Sequence, residues 1–397
     1  MIQVYLYTLL LISIVFAAAT SGLEIKVDAG NFSLDHTPVF VELKNTPSEY
    51  VVITQGDQRQ DGQIEQLENG NINVWWMVDS LQANQSKVFT ISFGTIPPIK
   101  QFTWSAVSNT SMDLSYGDRP LLRYMHQSYD SNDIESTKKP FHHVFDPTGT
   151  HLITKGVGGK YSHHRGIFIG YNKVYIGGDV VDIWHARNGE HSVHREVVRE
   201  SAGAVFGEQV LTIDWNDAKA KPFIQETRKL RVYQPTDDQF LIELWTELKS
   251  LRGRIRLEGD RQHAGVQFRA SQEVAEHENL TRFLRPKQWG HLKPEKANNS
   301  EDFIDLPWNA MQFTVDDKRY TVAYLTDPEN PDGARFSERV YGRFGEFVPY
   351  EITENQPLSL HYQWWIKAGD DVSRDAVEAR YQALANSAVV TVISDQR

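Results

Sequence analysis

Runs of alternating apolar and polar residues recur along this chain, and a period of two commits a segment to an extended strand with one buried and one wet face. Candidate strands, several of them with this alternation, are Gly166 to Tyr171, Val180 to His185, Gln209 to Trp215, Phe240 to Glu247, Ala264 to Arg269, Tyr320 to Leu325 and Leu358 to Ile366. Strands of this kind pack as antiparallel sheets, so the pattern predicts a mainly β chain dominated by a large antiparallel β-sandwich. Shorter apolar runs between Leu23 and Lys100, cut by turn-formers such as Asp28-Ala29-Gly30 and Asn69-Gly70-Asn71, predict a small N-terminal β-domain over 23–100. Pro97-Pro98 fixes φ twice and removes two donors, which marks a linker and leaves 101–397 to the large sandwich. Helical spacing occurs once, from Ser373 to Asn386, where Val377, Tyr381 and Leu384 recur on one face and predict a C-terminal helix capping the sheet. Arg285 to Pro307 and Thr326 to Phe347 follow neither period and are expected as long loops, where function tends to concentrate.

The chain contains no cysteine, which excludes disulfides, thiolate ligands and thiol nucleophiles, so any metal ligands must be His, Asp or Glu. The apolar run from Leu6 to Ala19 ends in Ala17-Ala18-Ala19 and predicts a signal peptide over 1–22, hence export to the periplasm or outside the cell. No Lys or Arg precedes that run, so the alternative is an uncleaved N-terminal anchor. No later segment is apolar and long enough to span a bilayer. A net charge of −11 argues against a nucleic-acid partner, which needs a basic face.

Histidines are concentrated. Of 14 in the chain, His142, His143, His151, His163, His164, His185, His191 and His194 fall between positions 142 and 194. Imidazoles gathered in this way suggest a divalent metal ion, with His163, His185 and His194 as ligands, or an acid/base centre using His163 and His164. Reading both segments as strands, alternation sets His163 and Arg165 on one face and His164 on the other, and separates His185 from Asp182 and Trp184. The bland alternative is a set of hydrogen-bonded sheet histidines.

In His263 to Arg269, alternation gives Ala264, Val266 and Phe268 an apolar face, and gives His263, Gln267 and Arg269 a polar one suited to sugar hydroxyls or simply to solvent. Glu226 shares a face with Arg228, as a positioned proton-transfer group or, more blandly, a surface ion pair. Arg335, Arg339 and Arg343 recur every four residues and either grip a carboxylate or solvate the surface. Trp184, together with Trp289, Trp308, Trp364 and Trp365, offers stacking platforms or core packing. No Gly-x-Ser-x-Gly elbow, phosphate-binding glycine loop, dinucleotide fingerprint or His-Glu-x-x-His occurs, which removes support for a nucleotide cofactor and for the elbow hydrolases and zincins.

Tyr161-Ser162-His163-His164-Arg165-Gly166, Asp182-Ile183-Trp184-His185, Gly259-Asp260 with Gln262-His263-Ala264-Gly265, Leu306-Pro307-Trp308 and the run from Arg335 to Gly345 resemble a bacterial family of unknown function. It carries the historical label "methane oxygenase PmoA", and the resemblance extends from Pro120 to Tyr381. The label conflicts with physics, because a membrane methane monooxygenase subunit needs several transmembrane helices. The resemblance implies a sandwich similar to galactose-mutarotase-like domains and company with sugar-processing enzymes; Ser162 departs from the proline expected before the His pair. The functional expectation is an exported enzyme that cleaves a glycoside by metal-assisted hydrolysis or elimination. In it, His263 or Glu226 moves a proton, and Arg165, Trp184, Gln267, Arg269 and Arg339 bind substrate. The alternatives are a non-catalytic carbohydrate-binding protein and a mutarotase-type epimerase.

Overall fold

The structure, a computed structural model, describes residues 22–45, 48–260, 262–292 and 303–395. The expected signal peptide lies outside the described residues apart from Gly22. Two eight-stranded antiparallel sheets make the large sandwich. The first runs in space Arg335–Arg339, Arg343–Phe347, Ala264–Arg269, Ile167–Tyr171, Phe141–Val144, Arg119–Met125, Ser111–Tyr116, Phe102–Ser108. The second is built on the long strands His191–Ala202, Phe206–Asn216, Pro222–Tyr233, Gln239–Ser250 and Leu358–Ala368, continued by Lys318–Thr326, Trp308–Val315 and Arg282–Leu284. Their facing sides share one core, in which Ile167, Val266 and Phe268 of the first sheet meet Ile213, Leu244 and Trp364 of the second. Burial of this much apolar side-chain area is the main favourable term for the fold.

The N-terminal part is a separate, smaller sandwich of a five-stranded and a three-stranded sheet around Val27, Ile53, Trp76 and Ile91. Its outermost strand is Val389–Asp395, which pairs antiparallel with Leu23–Asp28, so both ends of the described chain close the same unit. The helix Arg374–Ala385 begins at Ser373, whose hydroxyl caps the Ala376 N–H at 3.1 Å. Buried Arg380 joins this helix to Asp35 of the small sandwich at 3.1 Å. Among the described residues no helix is long and apolar enough to cross a membrane.

Three expectations change. Thr326 to Phe347 is largely a hairpin rather than a loop, since Arg335–Arg339 pairs with Arg343–Phe347 at the end of the first sheet. Both faces of Arg343–Phe347 are buried, so alternation with solvent never develops there. The run Val180 to His185 is a strand only through Val181, after which Ile183 to His185 form a turn. Trp308, Trp364 and Trp365 are buried and serve the packing, not a sugar.

Candidate active site

The side of the first sheet turned away from the core is covered by the turn at Tyr161 to His163 and the turn after Val181. Here three imidazoles converge: the ligand-capable nitrogens of His163, His185 and His263 all lie within 4.8 Å of one another. Two of the three are delivered by the same local device. In Asp182-Ile183-Trp184-His185 the Asp182 carboxylate accepts the His185 backbone N–H at 2.8 Å and lies 2.7 Å from His185 Nδ1. In the Asp260 to His263 turn, Asp260 accepts the Gln262 N–H at 2.9 Å and lies 2.7 Å from His263 Nδ1. A carboxylate on Nδ1 places the proton there and leaves Nε2 as a bare lone pair aimed at the cluster, the arrangement that orients metal-ligating histidines. Although burial opposes it, hydrogen bonds from their histidines hold Asp182 and Asp260 below the usual carboxylate range, so both remain anionic.

His163 completes the cluster from the opposite turn, its ring centroid 4.7 Å from that of His185 and 6.2 Å from that of His263. Burial, reinforced by the nearby Lys139 ammonium, pulls its pKa down to about 2, and its Nε2 is enclosed without a hydrogen-bond partner. A neutral imidazole with an unused lone pair is what a cation requires, and no proton competes for it at neutral pH. Lys139 is itself pushed well below its ordinary value by burial; it donates to the Trp184 carbonyl and packs over the Phe168 ring. Trp184 is fully buried, edge-on to His164 at 5.6 Å and to His263 at 6.0 Å, so it is the floor of the cluster.

Because His163 lies in a turn, strand alternation does not separate it from His164; their rings are 4.2 Å apart. The same correction holds for Asp182 and His185, which the turn joins. His164 is buried and stacks on Tyr341 at 6.0 Å, and Tyr341 in turn meets the exposed Tyr161 at 4.5 Å. Gln267 and Arg269 leave the sheet on this side; Gln267 accepts from Arg343 at 2.8 Å, and Arg269 reaches the Tyr341 carbonyl. Half-buried Arg339 lies two strands away, at the end of the edge strand Arg335–Arg339. Arg165 is enclosed, donating to the Glu135 carbonyl at 2.8 Å, and braces the turn from beneath. The next residue, Gly166, has φ +32°, and a Cβ there would stand 2.0 Å from the His142 carbonyl oxygen, so this approach admits only glycine.

Two expected participants lie elsewhere. His194 is on the second sheet, with Nδ1 3.2 Å from the Tyr124 hydroxyl and its ring 5.2 Å from His126; burial lowers its pKa to about 4. Glu226 is buried between the sheets, where Arg228 at 2.6 Å, Trp215 at 3.0 Å and Thr246 at 3.1 Å consume its oxygens. It is an interior ion pair rather than a surface one. Asp260, Lys139 and Tyr341 were not among the residues the sequence singled out. The repeated Asp-x-x-His spacing, at Asp182 and again at Asp260, was the signal for the first.

A family model described as a family of unknown function, DUF6807, matches residues 111–382, well over half of the chain. The chain belongs to this DUF6807 family. All three clustered histidines lie inside the matched span. No curated protein matches the chain. Among solved structures, a protein in the glycosyl hydrolase family 38 from Enterococcus faecalis aligns over 95% of this chain and 48% of its own, at 9% identity and a TM-score of 0.39. The DUF6807 chain thus spans about half the length of that protein. Pseudomonas aeruginosa OccK10 (OpdN) aligns over 85% of this chain and 100% of its own at 9% identity, with a TM-score of 0.14.

Proposed function

We propose that this DUF6807 protein is a carbohydrate-active enzyme that cleaves a glycoside by metal-assisted hydrolysis or elimination, with His163, His185 and His263 holding one divalent cation. The observation that carries the reading is the convergence of three imidazoles, two with their tautomer set by aspartates. Three imidazole ligands with coordination positions left over are the pattern of a catalytic rather than a structural metal site. A cation held there supplies Lewis acidity to a sugar or water oxygen. The protein's own groups then hold the histidines, through Asp182 and Asp260, and exclude water beneath them, through Trp184 and Phe168. Tyr161 and Tyr341 form an aromatic ledge next to His163 and His164 that suits the apolar face of a sugar ring.

His263, placed at sequence level as a proton-transfer group, becomes a ligand in this reading, and Glu226 and His194 take no part in it. The proposal includes export, on the strength of the apolar run from Leu6 to Ala19, and sets methane oxidation aside. The test is product analysis after incubation with a panel of neutral and acidic glycosides, with divalent metal and with a chelator. Cleavage that needs metal and disappears in folded His185→Ala and His263→Ala variants supports the reading. Metal-independent turnover, or glycan binding without turnover across the panel, overturns it.

A further inference from the structure

We infer that the surface beside the three histidines binds the acidic group of a carbohydrate, a carboxylate or a sulfate ester, at Tyr341 among Arg269, Arg339 and Arg343. This deepens the glycoside reading and rests on it. Among the described residues seven arginines are buried, and five have a carboxylate: Arg165 with Glu135, Arg228 with Glu226, Arg231 with Glu65 and Glu208, Arg285 with Glu338, and Arg380 with Asp35. Among the described residues, the two without one are Arg269 and Arg343, and both adjoin Tyr341.

Arg269 donates from Nη1 to the Ala270 carbonyl at 3.0 Å and to the Tyr341 carbonyl, while its Nε and Nη2 are enclosed with no acceptor. Its guanidinium lies 5.2 Å from the centre of the Tyr341 ring. Arg343 is held by neutral oxygens, Gln267 Oε1 at 2.8 Å, Ser337 Oγ at 2.7 Å and the Tyr341 hydroxyl at 3.3 Å. Arg339, paired across the hairpin with Arg343, donates to the Glu338 carbonyl at 3.0 Å. A fourth cation, Lys160, lies 5.8 Å from the Tyr341 ring and is already matched by Glu278 at 2.6 Å.

Burying a guanidinium without an opposite charge costs free energy that a mere scaffold would avoid by supplying a carboxylate, as this protein does at five other places. Here it leaves a positive field on a chain whose net charge is −11. Such a field, beside the half-buried Tyr341 ring, attracts and orients an anion, and guanidinium geometry favours carboxylate or sulfate oxygens. The stack from Tyr341 through His164 to His163 makes this patch continuous with the imidazole cluster, so one sugar ring can place its acidic group on the arginines and its glycosidic oxygen near the histidines.

The test is calorimetric binding of three probes to the full chain: an oligogalacturonate trimer, the same trimer with its carboxylates reduced to hydroxymethyl groups, and a sulfated galactose trimer. At least one acidic probe is expected to bind about tenfold or more tighter than the reduced trimer, and the tighter of the two identifies the anion. Arg339→Gln, at a half-buried position and checked for folding by circular dichroism, should narrow that preference about tenfold, and Arg269→Gln should narrow it further if circular dichroism shows it folded. Equal affinity for acidic and reduced probes, no binding of either acidic probe, or a preference untouched by Arg339→Gln overturns the inference. Zinc uptake by the same preparations separates the two readings. Metal uptake and turnover of neutral glycosides without acidic preference would leave only the glycoside reading standing; acidic preference without metal uptake would leave only this one.

Discussion

His361 provides a stability switch whose size can be worked out. It lies on the second sheet, far from the imidazole cluster, with Nδ1 2.5 Å from Asp327 Oδ2 and Nε2 3.7 Å from Glu243 Oε1. The second distance is too long for a hydrogen bond, so Glu243 acts there by Coulomb attraction. Burial opposes the charged ring, but the two carboxylates outweigh it and raise the pKa to about 9. The folded protein therefore keeps a proton that the unfolded chain releases near an ordinary pKa of about 6.5. With the folded value raised, the contribution is complete below about pH 6.5 and is lost as pH climbs through about 9, a total of about 3 kcal/mol. His361→Gln removes this titration and also the stacking of His361 on Trp245, whose rings are 4.5 Å apart, but the stacking loss is the same at every pH. Urea unfolding followed by tryptophan fluorescence should show native protein exceeding His361→Gln by about 3 kcal/mol more at pH 6 than at pH 10. A stability gap that stays constant across that range would refute the reasoning.

Asp182→Asn and Asp260→Asn keep shape but remove the anion that fixes each histidine; divalent-metal affinity, read by competition with a chelating dye, should fall about 10- to 100-fold for each. Arg228→Met leaves the Glu226 carboxylate uncompensated between the sheets and should cost about 3–5 kcal/mol in denaturant unfolding, with metal affinity unchanged. Burial raises the fully enclosed Glu346 to about 8, so folded protein holds its proton where the unfolded chain does not. Native stability should accordingly decline by about 1.4 kcal/mol per pH unit between roughly pH 4.5 and pH 8 from this group, and unfolding of Glu346→Gln across the same range should lack that component.

The strands that alternate with a core could be read directly: Ala264 to Arg269 coincides with an observed strand, and Gln209 to Trp215 and Phe240 to Glu247 sit within longer ones. The helix was legible for the same reason, its apolar residues having one partner face. Legibility failed where both faces are covered, as in Arg343–Phe347, and where contact comes from the far end of the chain, as in the pairing of Val389–Asp395 with Leu23–Asp28. At the site, residue types point to the histidines, but Tyr161 to His163 and Ile183 to His185 are turns, where strand alternation does not hold. In a turn, Asp and His three apart meet through side-chain to backbone hydrogen bonds, which no strand allows. Replacing His194 by His263 as a cluster member required knowing which side of which sheet each residue leaves, and this is fixed by tertiary pairing rather than by local pattern.

In this reading three imidazoles hold one cation. Titration of metal-stripped protein with Zn²⁺ and Mn²⁺ by calorimetry, alongside His163→Ala and His194→Ala, tests it most directly. The account predicts one ion per chain, affinity lost in His163→Ala and retained in His194→Ala; no binding by the native chain, or equal binding by His163→Ala, would contradict it.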